Sequence, residues 1–407
     1  MRASVWSVAA VAAILIAAFA GSAEARGLKT LHVFRGGKNG SNPISGLVAD
    51  GQGNFYGTTT TGGIGNCNGG HGCGIVFKIG ADARESLVYA FKGKKDGASP
   101  FGDLTIGPDG SIYGTTQSGG ASCGCGTVYK IRPDGTEKTL YQFQGGADGI
   151  TPEAGVTLDG DGNIYGTTQQ GGSGSCQGGC GTVFKLTPTG TKTIVHDFSS
   201  DADGELPTGG LVFDSSGNLF GTTQFGGTHC GFNNCGTLFK ITPGGVKSTV
   251  HDFGADAEDG ARPFGGLIID GTGTLWGTTL EGGDHIRGTL YKVPPQGQVT
   301  IVWAFGMFPD GAYPGNGVIE DGAGNLYGTL PTDGSEGPGM LFRYSIADQT
   351  ETIVYAFPGF PGGRSPTGTV AFDTLGNIYG TTFAGGVHRT GCDANGCGLV
   401  YKLPKPR

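Results

Sequence analysis

The chain has 407 residues and a formal net charge of −8, with 36% hydrophobic and 10% aromatic residues. No basic run or basic face is present to neutralise phosphates, which argues against a nucleic-acid partner and against docking on an anionic membrane surface. Gly (85) and Pro (20) make about a quarter of the residues, a share that would argue for disorder if it had no period.

It has one. Residues 1–25 come first and read as a cleavable secretory leader: Arg2, an apolar run over Val8–Ala20, then Ala23-Glu24-Ala25. The run is shorter than the roughly 20 residues a membrane span needs, and no second such segment follows. The mature chain is expected to be exported, periplasmic or extracellular, without a span or a terminal anchor. Residues 26–407 read as one domain. Beyond the leader no segment carries apolar residues at helical spacing, so the chain reads as all-β.

Seven copies of Asn-x-Tyr-Gly-Thr-Thr then set the frame. Their aromatics are Tyr56, Tyr113, Tyr165, Phe220, Trp276, Tyr327 and Tyr379, spaced 57, 52, 55, 56, 51 and 52 residues apart. The sixth copy departs at Gly328-Thr329-Leu330. In the third copy, strands are expected at Gly155–Asp159, Asn163–Gln169, Thr182–Leu186 and Thr193–Phe198, separated by Gly, Pro, Asn and Asp. Four short strands per unit at this period predict a propeller blade. The third strands, such as Ile75–Ile79 and Thr237–Ile241, are apolar almost without alternation, as strands covered on both faces are. Their one cation per blade (Lys78, Lys130, Lys185, Lys240, Lys292, Arg343, Lys402) is expected to pair near acids such as Asp50, Asp159 and Asp373.

The termini decide closure. Lys29–Phe34 matches the fourth strands, while the last repeat stops after its third strand, Leu399–Leu403. The N-terminal strand therefore completes the last blade, giving a seven-bladed β-propeller with four antiparallel strands per blade and no open interior edge.

Together these motifs, with the Gly-rich loop, Gly-Thr-Val-Phe-Lys-Ile and Asp-Gly-x-x-Pro, resemble the GloVer tandem repeat of exported bacterial proteins over residues 28–403. The resemblance implies a propeller-like extracellular protein. It defines no catalytic residues, so it carries none over.

Strand order gathers the Gly/Cys-rich loops and the blade-to-blade turns on one face. Ten cysteines lie there, two per loop, and are expected to form five local disulfides: Cys67–Cys73, Cys123–Cys125, Cys176–Cys180, Cys230–Cys235 and Cys392–Cys397. Metal ligation by these cysteines would need ligands from separate blades. His71, His229, His285 and His388 share the loops, whereas His32, His196 and His251 fall in fourth strands and are expected to serve the sheet surface. Asp159-Gly160-Asp161-Gly162-Asn163 resembles part of a calcium loop but lacks the later bidentate Glu and reads as a hairpin turn.

A ligand is asymmetric, so its contacts should fall where the copies disagree. After the Thr pair stand Gln117, Gln169 and Gln224, against Thr60, Leu280, Pro331 and Phe383 elsewhere. After the turn proline stand Ile44, Phe101, Glu153, Thr208, Phe264, Gly315 and Thr367. An amide-lined sector flanked by Phe101, Glu153 and Phe264 is expected, suited to a hydroxylated ligand or an extended peptide. The sequence thus favours a non-catalytic, monomeric binding module for a carbohydrate, peptide or protein partner. No cofactor is expected beyond a possible divalent cation. The alternatives are a metal-assisted lyase or lactonase at the channel mouth, and a structural surface protein.

Overall fold

A computed structural model describes residues 27–228, 235–306, 310–332, 337–387, 392 and 395–406. The leader lies outside them. Seven blades of four antiparallel strands follow one another around an axis, the second sheet extended by Ala98–Pro100 pairing with Ile112–Ser118. In the third, the order is Thr157–Leu158, Ile164–Thr168, Thr182–Leu186 and Lys192–Asp197, innermost to outermost. The innermost strands are shorter than expected, two residues in most blades and three at Val318–Glu320. The residues before them are drawn into close backbone contact between blades instead of pairing: a Cβ on Gly155 would stand 2.6 Å from the carbonyl oxygen of Asp103.

The seventh sheet is completed by Lys29–Val33, which pairs antiparallel with Leu399–Leu403 in the register Lys29↔Lys402 to Val33↔Leu399. This strand carries the same one-residue bulge as the other six fourth strands. Such bulges twist an edge strand away from further pairing.

The recurrent motif has a physical cause at each place. Its aromatic stands directly opposite the third-strand cation, Tyr165 against Lys185 for instance. The ammonium lies over the ring, 4.9 Å from the centroid at Lys402 and Tyr379. Three cations also reach acids: Lys402 to Asp373 at 3.3 Å, Lys185 to Asp159 at 4.0 Å and Lys130 to Asp109 at 2.7 Å. The next residue is glycine because the third-strand aromatic lies across it. A Cβ on Gly57, Gly166 or Gly277 would come within 2.7, 2.7 or 2.4 Å of Phe77, Phe184 or Tyr291. In blades two to five the second Thr bonds a third-strand Thr, as Thr168 Oγ1 does Thr182 Oγ1 at 2.8 Å, whereas Thr59 and Thr382 face Ile75 and Leu399. Where the motif changes to Leu330, its cross-strand partner changes to Met340, so an apolar pair replaces the hydroxyl pair.

One aromatic contact joins each blade to the next. The fully buried Phe at the end of each fourth strand meets the third-strand aromatic of its neighbour: Phe91 and Tyr129, Phe143 and Phe184, Phe198 and Phe239, and so on. Phe34 and Phe77 repeat it at the seam, with centroids 5.1 Å apart at 67°.

Towards the outer rim, an Asp of the blade-to-blade turn joins its own fourth strand to the next. Asp203 lies 2.9 Å from His196 Nε2 and accepts from Lys247 Nζ at 2.8 Å. Asp148 likewise joins Tyr141 and Lys192. His251 sits 3.1 Å from Asp259, and His32 is 3.9 Å from Glu85. These histidines serve the sheet surface, as expected.

The sixth blade places Glu351 where Lys192 and Lys247 stand in blades three and four, as the first two blades place Glu85 and Glu137. Burial and the nearby Asp310 push the Glu351 carboxyl up to about 8. A carboxyl raised by folding contributes most below its unfolded value, and that contribution is lost as pH rises through the folded value. Glu351→Gln should therefore stabilise the protein by about 1–2 kcal/mol at pH 8 and by little near pH 4.5. Thermal melts across that range check it. A difference independent of pH would contradict the assignment.

Candidate functional site

The blade-to-blade turns build the mouth of the central channel. Before each turn proline stands a non-glycine residue with positive φ: Asn42, Ser99, Thr151, Leu206, Arg262, Tyr313 and Ser365. That conformation is unusual for such residues. It lets the N–H donate to the preceding loop, as Ser99 does to the Cys73 carbonyl at 2.8 Å and Leu206 to the Cys180 carbonyl at 3.0 Å. The Gly-rich loops and these turns are thereby held on one face. Cys67–Cys73, Cys123–Cys125, Cys176–Cys180 and Cys392–Cys397 are bridged within those loops. Cys230, the expected partner of Cys235, lies outside the described residues. So do His229 and His388, while His71 and His285 are exposed.

Beyond each proline the chain enters the axis. All seven residues at that place, Ile44, Phe101, Glu153, Thr208, Phe264, Gly315 and Thr367, line one cavity of about 510 Å³. Leu280 and Pro331, which follow the Thr pair in blades five and six, line it too. Below them the blades come close: a Cβ on Gly317 would stand 2.3 Å from the Gly266 carbonyl oxygen, and one on Gly368 2.4 Å from that of Ser45. The buried first Thr of several motifs ties to the next blade there, as Thr115 donates to the Ala154 carbonyl at 2.9 Å.

Phe101, Glu153 and Phe264 thus face one space. Gln117 reaches it through Glu153, donating from its amide to Oε1 at 2.6 Å. Gln169 and Gln224 are not among the lining residues. Their main-chain N–H groups pair with the Thr151 and Leu206 carbonyls, which incorporates these positions into the turn. The lining is accordingly less rich in amides than the sequence suggests.

Asp103 was not singled out in the sequence. It occupies the place of Gly46, Gly155, Gly210, Gly266, Gly317 and Thr369 in the other blades. The signal was available: one carboxylate among five glycines and a threonine. Asp103 accepts from the Gly46 N–H at 2.6 Å and the Thr369 hydroxyl at 3.1 Å. It stands within the channel, with its side chain exposed to the open space of the cavity. Burial raises its carboxyl above the ordinary range, against the pull of those two donors. Burial raises Glu153 likewise, opposed by Gln117. Among the described residues, no Lys, Arg or His lines the cavity.

Among the described residues, no three His, Cys, Asp or Glu gather as a metal site requires. The Asp159 hairpin is a turn, its carboxylate accepting from the Asp161 and Asn163 N–H groups and the Asn163 amide. No helix among the described residues is long and apolar enough to cross a membrane.

Several solved structures share the fold at low identity. The extracellular domain of a protein assigned to a hybrid two-component system of B. thetaiotaomicron superposes with a TM-score of 0.56 at 15% identity. That match covers 92% of this chain and 41% of the other, so the chain spans well under half the length of that structure. A one-component-system extracellular domain from the same organism gives 0.55 at 12%, covering 93% and 42%. A protein assigned as a 6-phosphogluconolactonase from Bacteroides uniformis gives 0.50 at 14%, covering 77% and 84%. No curated protein matches the chain. The sequence itself matches the Gloeobacter/Verrucomicrobia repeat over residues 65–268 and 229–405, and with that the chain belongs to the Gloeobacter/Verrucomicrobia repeat family.

Proposed function

We propose that the protein is an exported, monomeric, non-catalytic binding module. It takes a carbohydrate, peptide or protein partner at the loop-face mouth of its channel. One observation carries this reading: the seven residues at the divergent place after the turn proline converge on one cavity, while the scaffold positions repeat around the ring. Local disulfides within the loops of that face support export, since such bridges persist in oxidising compartments. A glycan and peptide array probed with the mature chain tests it. Hits should weaken at least about tenfold, on the order of 1.4 kcal/mol, in Phe101→Ala and Phe264→Ala proteins that melt normally. Hits indifferent to both substitutions would overturn the placement.

A catalytic reading draws on Asp103 and Glu153, because two carboxyls raised by burial in one cavity suit acid–base chemistry. It requires turnover of a lactone or glycoside panel that falls in Glu153→Gln and Asp103→Asn proteins. Turnover equal to buffer would dismiss it.

A further inference from the structure

We propose that the axial cavity takes a small organic cation: an ammonium head on an apolar, preferably aromatic, body. The inference rests on the reading of this cavity as the binding site and names the chemistry it selects. Among the described residues, the cavity lining has two acidic side chains, Asp103 and Glu153, and no basic one. Asp103 is there because blade two departs from the small residue that the other six blades keep at that place. A carboxylate offers about four acceptor sites. The two protein donors on Asp103 and the one on Glu153 leave acceptor capacity on both.

The rest of the lining fits the remainder of such a ligand. Phe101 and Phe264 supply aromatic rings, whose faces attract cations. Leu211 and Leu267 supply apolar surface, and about 510 Å³ lies within the range of small-molecule sites. An anionic ligand would meet two like charges and no counter-charge. A neutral polyol would leave both carboxylates without a counter-ion in a largely apolar space, a costly arrangement. An ammonium ion supplies that counter-charge within the cavity.

Titration calorimetry of the mature chain with phenethylammonium, phenethyl alcohol and phenylpropionate tests the proposal. Phenethylammonium should bind with one-to-one stoichiometry, the alcohol at least about tenfold more weakly, and the carboxylate not at all. Glu153→Gln and Asp103→Asn should each weaken the ammonium at least about tenfold without closing its gap to phenylpropionate through misfolding, which a matching thermal melt verifies. Equal affinity for the alcohol, no ammonium binding, or wild-type affinity in both variants would overturn it. If array hits depend on Phe101 and Phe264 while ammonium fails, only this inference falls. If array hits ignore those residues, the reading beneath it falls.

Discussion

A chain without residues 27–35 should lose its single cooperative melt, and Phe34→Ala alone should cost about 3–5 kcal/mol. Phe34 is fully buried, packs edge-on against Phe77 and donates its N–H to the Gly398 carbonyl at 3.1 Å. It makes the contact that Phe198 makes with Phe239 in mid-ring. The two truncations, Phe34→Ala and Phe198→Ala, should therefore cost similar amounts in chemical denaturation. Removing the whole strand also leaves the Leu399–Leu403 ladder unpaired and uncovers the first blade, so ordering at the seam fails as a unit. If Phe34→Ala costs under about 1 kcal/mol while Phe198→Ala costs its full amount, the N-terminal strand is an accessory and does not hold the ring.

Gly166→Val should destabilise by about 3 kcal/mol, even though Val is the better strand residue by propensity. The Cβ alone would stand 2.7 Å from Phe184 Cζ and 3.4 Å from Val156 Cγ1. Phe184 is fully buried against Phe143 and has nowhere to move. Phe184→Leu in the same chain should recover part of the loss, giving a coupling energy of about 1 kcal/mol or more in a double-mutant cycle. Additive costs would show that the glycine serves some other need. A stabilising Gly166→Val would show that the Phe184 ring does not lie across this strand.

Blade number, strand order and closure were legible because seven copies report the same two-sided burial. The third strands lie where the apolar runs put them, with Met340–Ser345 one residue longer. Innermost strands were overread, since Gly155 and Val156 look like strand residues in isolation and are committed to the neighbouring blade in the ring. The left-handed residue before each proline was invisible for a related reason. Ser99, Leu206 and Tyr313 have nothing in common chemically, and the conformation is imposed by the loop carbonyl each one bonds. At the site, the place after the proline could be read as axial from strand order alone. Whether the place after the Thr pair opens into the cavity depends on local pairing, so Leu280 and Pro331 reach it while Gln169 and Gln224 do not. Asp103 escaped notice because it stands two residues after the divergent position, at a place most other blades fill with glycine.

Amide hydrogen exchange on the protein with and without a bound array hit tests the central claim most directly. Protection should rise in residues 101–106, 153–158 and 264–269, the three segments that bring Phe101, Asp103, Glu153 and Phe264 to the axis. Protection confined to the outer strands or to hairpins such as 159–163, with those three segments unchanged, would contradict a site in the channel.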